Sequence, residues 1–306
     1  MQINFENPPK TYVVMNPVSG TLQPDIKRET IQSALQAHNV PFKIYETTGK
    51  ENVRQLVRDA VQQGFELFLA TGGDGTAAAV ASGLIDTQIP FAIIPTGTWN
   101  ALARNLDIPL TIEEALELVF QGHRIRVIDA MQVGDNFHIL NISTGVGARI
   151  MRESKREKKR RFGRLADLWT ALISLMGFQT YHFDVTIDGK QAKFRGLEVM
   201  VANSKIIGLK SLQLDPGIRM DDGKLNVCRL YADNLIEFLK LAAIIILGKQ
   251  RETPNVLCLE AIHEVEIRCR EKNLPVQGDG DLIGRLPIVV KLRPKALHIV
   301  VPAPAT

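Results

Sequence analysis

The chain has 306 residues, of which 45% are hydrophobic and 23% charged, and its formal net charge is +4. This length allows two domains with separate cores, and the composition is that of an ordinary globular protein. So small a positive charge gives no reason to predict a nucleic-acid partner. The N-terminus lacks the basic and apolar regions of a signal peptide, and no apolar run is long enough to span a membrane. We therefore expect a cytoplasmic protein.

The first part of the chain alternates strand and helix patterns. Apolar runs predict strands at 11–15, 41–45, 65–70 and 90–94, with helices at 25–38, 52–63, 101–106 and from 111 onward. This alternation predicts a parallel sheet with crossover helices. Ligands bind such sheets beyond the carboxyl ends of the strands. We therefore expect the loops at 16–20, 47, 72–76 and 97–100 to line one crevice.

The loop after the third strand reads TGGDGT, residues 71–76, and an alanine-rich helix follows it. Glycines let backbone N–H groups approach an anion, and a helix N-terminus adds a partial positive charge. A carboxylate would repel a phosphate unless a divalent cation lay between them. Asp74 thus favours a nucleotide polyphosphate with Mg²⁺, whereas a plain glycine turn would need neither Asp74 nor Thr76. Thr98 and Asn100 of the next loop could likewise hydrogen-bond a nucleotide, or belong to an ordinary turn.

From about residue 126 onward, strand patterns dominate. Segments at 137–143, 185–194, 196–202, 224–231, 264–270 and 287–292 predict an antiparallel β-sandwich, with helical insertions at 165–178 and 235–247. Cys228, Cys258 and Cys269 lack metal-ligand spacing and are expected in or near strands of a protein in a reducing compartment. The glycines at 145 and 147 only weakly resemble a dinucleotide fingerprint. Because we expect no strand–helix context there, they predict no cofactor site.

Three further segments allow two interpretations each. The basic run Arg152–Arg164 precedes an apolar helical pattern, which suits contact with an anionic membrane, or else a solvated loop before a core helix. The Asp-Gly segment at 221–224 is either ordinary turn chemistry or a metal site with one carboxylate and nearby carbonyls. The segment at 278–281 is either a turn or the source of a general base for a hydroxyl nucleophile.

Five motifs in this order resemble the diacylglycerol kinase catalytic-domain family, which includes bacterial soluble lipid kinases and is related to sphingosine kinases. They are Asn16-Pro17-x-Ser19-Gly20, Gly72-Gly73-Asp74-Gly75-Thr76, Pro95-x-Gly97-Thr98-x-Asn100, Asp221-Asp222-Gly223-x-Leu225 and Asp279-Gly280-Asp281. The resemblance covers nearly the whole chain. It implies a three-layer α/β domain of the NAD-kinase and phosphofructokinase type at 1–128, joined by returning residues 296–306. It also implies an antiparallel β-sandwich at 129–295.

The resemblance implies an ATP- and Mg²⁺-dependent kinase of phospholipid metabolism that phosphorylates a diacylglycerol-like or sphingoid hydroxyl in an interdomain cleft. Asp74 and Asp129 would hold the catalytic Mg²⁺. A structural Mg²⁺ would bind Asp222 and carbonyls near Arg219 and Lys224. Asp281 would accept the hydroxyl proton, with Asp279 as the rival base. The residues implied to hold ATP are Asn16, Pro17, Val18, Ser19, Gly20, Thr47, Gly72, Gly73, Asp74, Gly75, Thr76, Ala77, Ala78, Thr98 and Asn100.

Two positions depart from the family pattern. Ala101 stands where many members have Asp, and Asp281 stands where Glu is usual, so the base loses one methylene of reach. Two alternatives therefore stay open: an NAD-kinase-like enzyme, and a non-catalytic regulator that binds lipid or nucleotide. The expected partners are a lipid and the inner membrane surface, contacted through Arg152–Arg164. The sequence leaves the oligomeric state open, a homodimer included.

Overall fold

The computed structural model describes residues 3–157, 179–206, 213–249, 253–271 and 273–304. The described residues form two compact units, of which the first holds those up to Ala130 and from Pro294 onward. The second holds those from Met131 to Arg293. The helix predicted at 165–178 and most of the basic run lie outside the described residues.

The first unit contains a parallel sheet in the order β2-β1-β3-β4. The last part of β16 continues it, since His298 and Ile299 pair in parallel with β4. Its elements are β1 (Thr11–Met15), α1 (Pro24–Ala37), β2 (Phe42–Glu46), α2 (Val53–Gln62), β3 (Leu67–Gly72), α3 (Asp74–Leu84), β4 (Pro90–Pro95), α4 (Ala101–Asn105), α5 (Ile112–Phe120) and the end of β16 (Ile288–Pro302).

Helices cover both faces of this sheet. Leu69 and Ile94 pack against Leu35 of α1 on one face, where α5 also contributes to the core. Val14 and Phe68 alternate with these positions and are equally buried. They face α2 and α3. The connections through α2 and α3 run along the sheet in the direction opposite to that through α1, and right-handed crossovers of opposite direction lie on opposite faces.

The second unit is built from two antiparallel sheets, ordered β12-β11-β10-β7-β14-β15 and β16-β13-β8-β9. One core joins them, with Val199 and Val227 from the first sheet and Phe183 and Val265 from the second. The elements are the end of β5 (His123–Val133), whose residues up to Ala130 belong to the first unit, β6 (Asn136–His138), β7 (Asn141–Gly145), α6 (Val146–Glu157), β8 (Tyr181–Ile187), β9 (Lys190–Gly196), β10 (Glu198–Ala202), β11 (Leu225–Leu230), α7 (Leu235–Ile246), β12 (Val256–Ala261), β13 (Glu264–Cys269), β14 (Pro275–Gly278), β15 (Asp281–Arg285) and the first part of β16. The arrangement is the predicted sandwich.

The single strand predicted at 137–143 is wrong. Strand β6 ends at His138, and β7 begins only at Asn141. Between them the backbone N–H groups of Ile139 and Leu140 donate to the carboxylate of Asp279, at 2.7 and 2.8 Å. A carboxylate far along the chain thus takes the donors that a continuous strand would use. Local sequence cannot reveal that competition.

The glycine pair at 145 and 147 lies between a strand and a helix after all, because α6 follows β7 directly. The N–H of Gly147 donates to the buried carboxylate of Glu198 at 2.6 Å. A Cβ on Gly147 would lie only 2.8 Å from that carboxylate. Burial raises the pKa of Glu198, and the donors Ser143 and Gly147 oppose the shift. This glycine therefore allows a buried acid to approach the first turn of α6.

All three cysteines lie in strands, as expected. Cys228 of β11 and Cys258 of β12 are opposite each other in the sheet and form a disulfide, whereas Cys269 is a free thiol. The sequence did not predict this pairing. Within the part of the chain that the structure describes, no helix is both long and apolar enough to span a bilayer.

Candidate functional site

The loops after β1, β3 and β4 meet at the carboxyl ends of their strands. A Cβ on Gly97 would lie 2.5 Å from the Cα of Gly73, so the two backbones touch. A Cβ on Gly20, whose φ is +73°, would lie 1.9 Å from the carbonyl oxygen of Thr96. The N–H of Thr96 also donates to the carbonyl of Gly72 at 2.9 Å. Only residues without side chains allow three loops to approach this closely.

A buried lysine holds the first of these loops. Lys27 of α1 is fully buried, and its Nζ donates to the carbonyls of Pro17 at 2.9 Å and Ser19 at 2.6 Å. Burial lowers the pKa of Lys27. The N–H of Val18 donates to Asn16 Oδ1 at 3.2 Å. No sequence pattern indicated the role of Lys27, because it resembles an ordinary charged residue of a surface helix.

The second loop places Asp74 at the start of α3. Its Oδ1 accepts the N–H of Leu102 at 3.0 Å, which anchors the first turn of α4. Thr76, two residues later, accepts a long hydrogen bond of 3.5 Å from the side-chain amide of Asn16. The N-terminus of α3 therefore opens toward the loop cluster, in the arrangement that proteins use to bind phosphate.

The third loop contains an acceptor without a partner. Asn100 adopts a left-handed conformation with φ of +47°, and its Nδ2 donates to the carbonyl of Gly97 at 2.9 Å. Its Oδ1 is buried and accepts no hydrogen bond from any described residue. Buried polar atoms normally have a partner, so this oxygen points to a ligand in the cluster. Thr98 is exposed, and Ala101 is buried at the start of α4.

The loop after β2 is held by a carboxylate that the sequence interpretation missed. Glu51 accepts the N–H groups of Thr48, Gly49 and Lys50, at 2.7, 3.1 and 3.2 Å. The side chain of Thr48 contributes most, followed by the backbone N–H groups of Thr48, Glu51 and Lys50, and together they lower the pKa of Glu51 to about 2. Thr47 donates its N–H to the carbonyl of Met15 at 2.9 Å, which joins this loop to the end of β1.

A cavity of about 360 Å³ adjoins the first and third loops. Thr96, Gly97 and Asn100 line it, and Leu22 and Leu110 form an apolar part of its wall. Asn100, whose Oδ1 has no partner among the described residues, is therefore one of its lining residues. The loop cluster and this cavity together provide a polar region next to a partly apolar one, as a nucleotide would need.

The predicted metal ligands make contacts with other groups of the protein. Asp129 is buried and accepts the N–H of Lys295 at 2.8 Å. Asp222 accepts the N–H of Lys224 at 3.1 Å, and Arg219 pairs with the neighbouring Asp221 at 3.2 Å. Across the described ranges, no three Asp, Glu, His or Cys side chains are grouped to hold a metal. The contacts of Asp222 and Arg219 are ordinary turn chemistry, whereas that of Asp129 joins distant parts of the chain. The metal roles of Asp129, Arg219, Asp222 and Lys224 stay predictions.

The acidic hairpin of the second unit separates its two aspartates. Asp279 and Gly280 form the two-residue turn between β14 and β15, with φ of +50° and +88°. The side chain of Asp279 is 6% exposed. Besides the N–H groups of Ile139 and Leu140, it accepts that of Asn141 at 3.1 Å. Asp281, the first residue of β15, is exposed.

His138 lies beside this hairpin. Its Nδ1 is 3.8 Å from the carboxylate of Asp279, and its ring packs against Gly278, where a Cβ would come within 2.6 Å. Burial lowers the pKa of His138, while the charges of Asp279 and Asp281 oppose that shift. Burial likewise raises the pKa of Asp279, against the effect of His138 and the three backbone donors. Nothing in the local sequence signalled this histidine.

Two family models together match most of the chain. Residues 10–133 match the diacylglycerol kinase catalytic domain, and residues 140–301 match the YegS C-terminal NAD kinase beta sandwich-like domain. The diacylglycerol kinase of Bacillus subtilis is 26% identical over 298 residues, which cover 95% of this chain and 95% of that protein. A protein of Citrobacter koseri named as a probable YegS-like lipid kinase is 28% identical over 300 residues, or 93% of this chain and 96% of that protein.

The fold agrees with these matches. The crystal structure of a diacylglycerol kinase from Bacillus anthracis superposes with a TM-score of 0.77 at 21% identity, over 96% of this chain and 97% of that one. The α/β unit and the sandwich therefore share the fold of that structure. The chain belongs to the diacylglycerol kinase catalytic-domain family, with the YegS type of C-terminal domain. The resemblance inferred from the motifs and the predicted fold class are both confirmed.

The close approach of the loops predicts that two Gly→Ala variants differ in stability. Gly97→Ala should destabilise the protein by about 2–4 kcal/mol, because its Cβ would collide with the backbone of Gly73. Gly75→Ala is the matched control, since Gly75 lies in α3 and a Cβ there would meet no atom within 4 Å. It should leave stability unchanged or raise it by up to about 1 kcal/mol. Equal thermal midpoints for the two variants would refute the loop contact.

Proposed function

We propose that this protein is an ATP- and Mg²⁺-dependent lipid kinase that transfers the γ-phosphoryl group to a diacylglycerol-like or sphingoid hydroxyl. The observation that carries the proposal is the contact of three glycine loops at the N-terminus of α3, with the Oδ1 of Asn100 unpartnered among the described residues. The triphosphate would bind along these loops, and the adjoining cavity would take part of the nucleoside. That transfer occurs in an interdomain cleft stays a prediction from the sequence.

The residues of the loop cluster fit a Mg²⁺ ion. Mg²⁺ in kinases binds one or two carboxylates together with substrate phosphates, so a cage of several acids is not needed. One oxygen of Asp74 accepts the N–H of Leu102, which fixes the direction of the carboxylate. Asp74 would hold the ion. When bound, the ion would neutralise charge on the transferring phosphoryl group.

Asp74→Asn tests this assignment, because the amide oxygen can still accept the N–H of Leu102 while the charge is lost. The thermal midpoint should stay close to that of the wild type, whereas phosphate transfer should fall about 10²-fold or more. The measurement is transfer of labelled phosphate from ATP to a panel of diacylglycerol, monoacylglycerol, sphingosine, ceramide and phosphatidylglycerol, with and without Mg²⁺.

The control is Asp86→Asn, which removes an acidic side chain after α3, away from the loops. It should transfer phosphate at the wild-type rate. Full activity in Asp74→Asn would disprove the metal assignment. Phosphorylation of NAD instead of any lipid would favour the NAD-kinase alternative. Nucleotide binding without transfer to any acceptor would favour the non-catalytic regulator.

Asp281 is the better candidate for the general base. The carboxylate oxygens of Asp279 already accept three backbone N–H groups, and its side chain is almost inaccessible to solvent. Asp281 begins β15 and is exposed, so a substrate hydroxyl can reach it. Asp279 then acts as a positioning residue, since it ties the hairpin to the segment between β6 and β7.

Asp281→Asn should therefore lower kcat for lipid phosphorylation by about 10²–10⁴-fold without changing the thermal midpoint. Asp279→Asn should lower the thermal midpoint, because an amide nitrogen would face backbone N–H groups that now have a carboxylate acceptor. Asp281→Glu restores the longer side chain and should retain activity. The proposed roles would be reversed if Asp279→Asn kept wild-type stability and lost more activity than Asp281→Asn.

An exposed apolar stripe suits contact with the membrane that supplies a lipid substrate. Ile236 and Leu239 of α7 and Leu247 after it are 66%, 56% and 70% exposed, and their helical spacing places them on one face. Lys240 lies on the same exposed face, and Lys249 follows the helix. Apolar side chains with flanking lysines are typical of an interfacial helix on anionic lipid. This stripe would add to the predicted contact through Arg152–Arg164.

Leu239→Glu should weaken binding to vesicles that contain phosphatidylglycerol by about tenfold, because it places a charge in the apolar contact. Ile262→Glu is the matched control, since Ile262 is also an exposed apolar residue of the second unit, outside α7. Vesicle flotation measures both. Equal loss in the two variants would show a nonspecific charge effect and contradict the role of the stripe.

A further inference from the structure

The second unit contains a cavity lined by arginines that the proposed phosphate transfer does not use. Its volume is about 250 Å³. Helix α6, the start of β8, Glu271, the segment at 273–275 and the end of β15 surround it. The polar side chains that line it include Arg149, Arg152, Tyr181, Glu271, Asn273 and Arg285.

Short hydrogen bonds position two of the three guanidinium groups. Arg149 donates to the hydroxyl of Tyr181 at 2.7 Å, and Arg285 donates to the carbonyl of Asn273 at 2.9 Å. Helix α6, which carries Arg149, is held at its first turn by the bond from Gly147 to Glu198. Because a guanidinium group has several N–H donors, the one bond of Arg285 leaves most of its donors available.

Arg152 is the least satisfied of the three. Its Nε is buried and has no hydrogen-bond partner among the described residues. Leaving a buried donor of a cationic group unpaired is costly, so native structures normally supply an acceptor. An oxygen of a ligand in the cavity would supply this acceptor.

The carboxylate that lines the cavity does not neutralise it. Glu271 accepts the thiol of Cys269 at 2.8 Å and the N–H of His182 at 3.4 Å. Burial raises the pKa of the Cys269 thiol to about 12, so the thiol stays protonated and remains the donor. Neither Arg152 nor Arg285 forms an ion pair within the described part of the chain. The cavity thus has more positive than negative charge.

We propose that this cavity binds a phosphate group of a phosphomonoester. Guanidinium groups match phosphate oxygens in pairs, and three of them against one carboxylate suit a dianion better than a singly charged carboxylate. The phosphate could belong to the headgroup of an anionic lipid or to a small phosphorylated metabolite. The site lies in the second unit and does not rest on the proposed kinase reaction.

Two binding measurements on the full chain distinguish these sources. Calorimetry with glycerol 3-phosphate tests the small molecule, with acetate as the monoanion control. Cosedimentation with phosphatidylcholine vesicles, with or without phosphatidic acid, tests the lipid headgroup. Both are done with saturating nonhydrolysable ATP analogue, which would occupy the glycine loops of the first unit and prevent phosphate binding there.

One of the two phosphate probes should bind to the cavity. Arg152→Gln and Arg285→Gln should each weaken the binding of that probe by about tenfold. Arg285→Lys keeps the charge but loses the paired geometry, and should weaken it less. Arg268→Gln is the matched control, since Arg268 is an exposed arginine of the second unit that pairs with Glu266 at 2.6 Å. Loss with glycerol 3-phosphate identifies a small ligand, and loss only with phosphatidic acid identifies a headgroup.

The proposal fails if neither probe binds, if acetate binds as tightly as the phosphates, or if Arg268→Gln weakens binding as much as Arg285→Gln. It also fails if both pocket variants bind like the wild type. Circular dichroism melting checks that each variant is folded. Should Arg152→Gln not fold, Arg285→Gln decides, because Arg285 is exposed and a change there leaves the core intact.

Discussion

The contact between the backbones of Gly73 and Gly97 is the constraint on which the first unit's site depends. A single Cβ on Gly97 would come within 2.5 Å of the other backbone. The same closeness brings the start of α4 near the start of α3, where Asp74 can accept the N–H of Leu102. Phosphate recognition by backbone donors requires this density of N–H groups, which bulkier loops could not reach. The glycines therefore set both the geometry and the chemistry of the cluster.

The loops could be predicted because their signals are local. Each follows an apolar strand directly, and the order of parallel strands brings their carboxyl ends to one edge. The side chains that hold the loops could not be predicted in the same way. Lys27 supports a loop several residues before it from inside a helix, and Glu51 accepts N–H groups of the three residues that precede it. Nothing in their own sequence context distinguishes them from solvated charges.

The second unit shows the same limit more strongly. Asp279 interrupts a predicted strand nearly 140 residues earlier in the chain, at Ile139 and Leu140. Glu198 similarly holds α6, 51 residues before it. In both cases a buried carboxylate replaces a backbone partner, and such pairings depend on the tertiary fold rather than on periodicity. The antiparallel class of the sheets can be predicted from the alternation of apolar and polar residues. The break between β6 and β7 cannot, because it depends on the distant carboxylate of Asp279.

The two departures from the family pattern have different structural consequences. Ala101 is buried at the first turn of α4, directly before the N–H that Asp74 accepts, so Asp74 keeps its orientation without a second carboxylate there. Asp281 has less freedom to compensate for its missing methylene. The hairpin that carries it is fixed by three hydrogen bonds to Asp279 and by the pairing of Gly278 with Asp281. A hairpin held this firmly cannot move toward a substrate at low cost. With Asp281 as the proposed base, the shorter side chain would require an acceptor hydroxyl that binds closer to β15 than a glutamate would require.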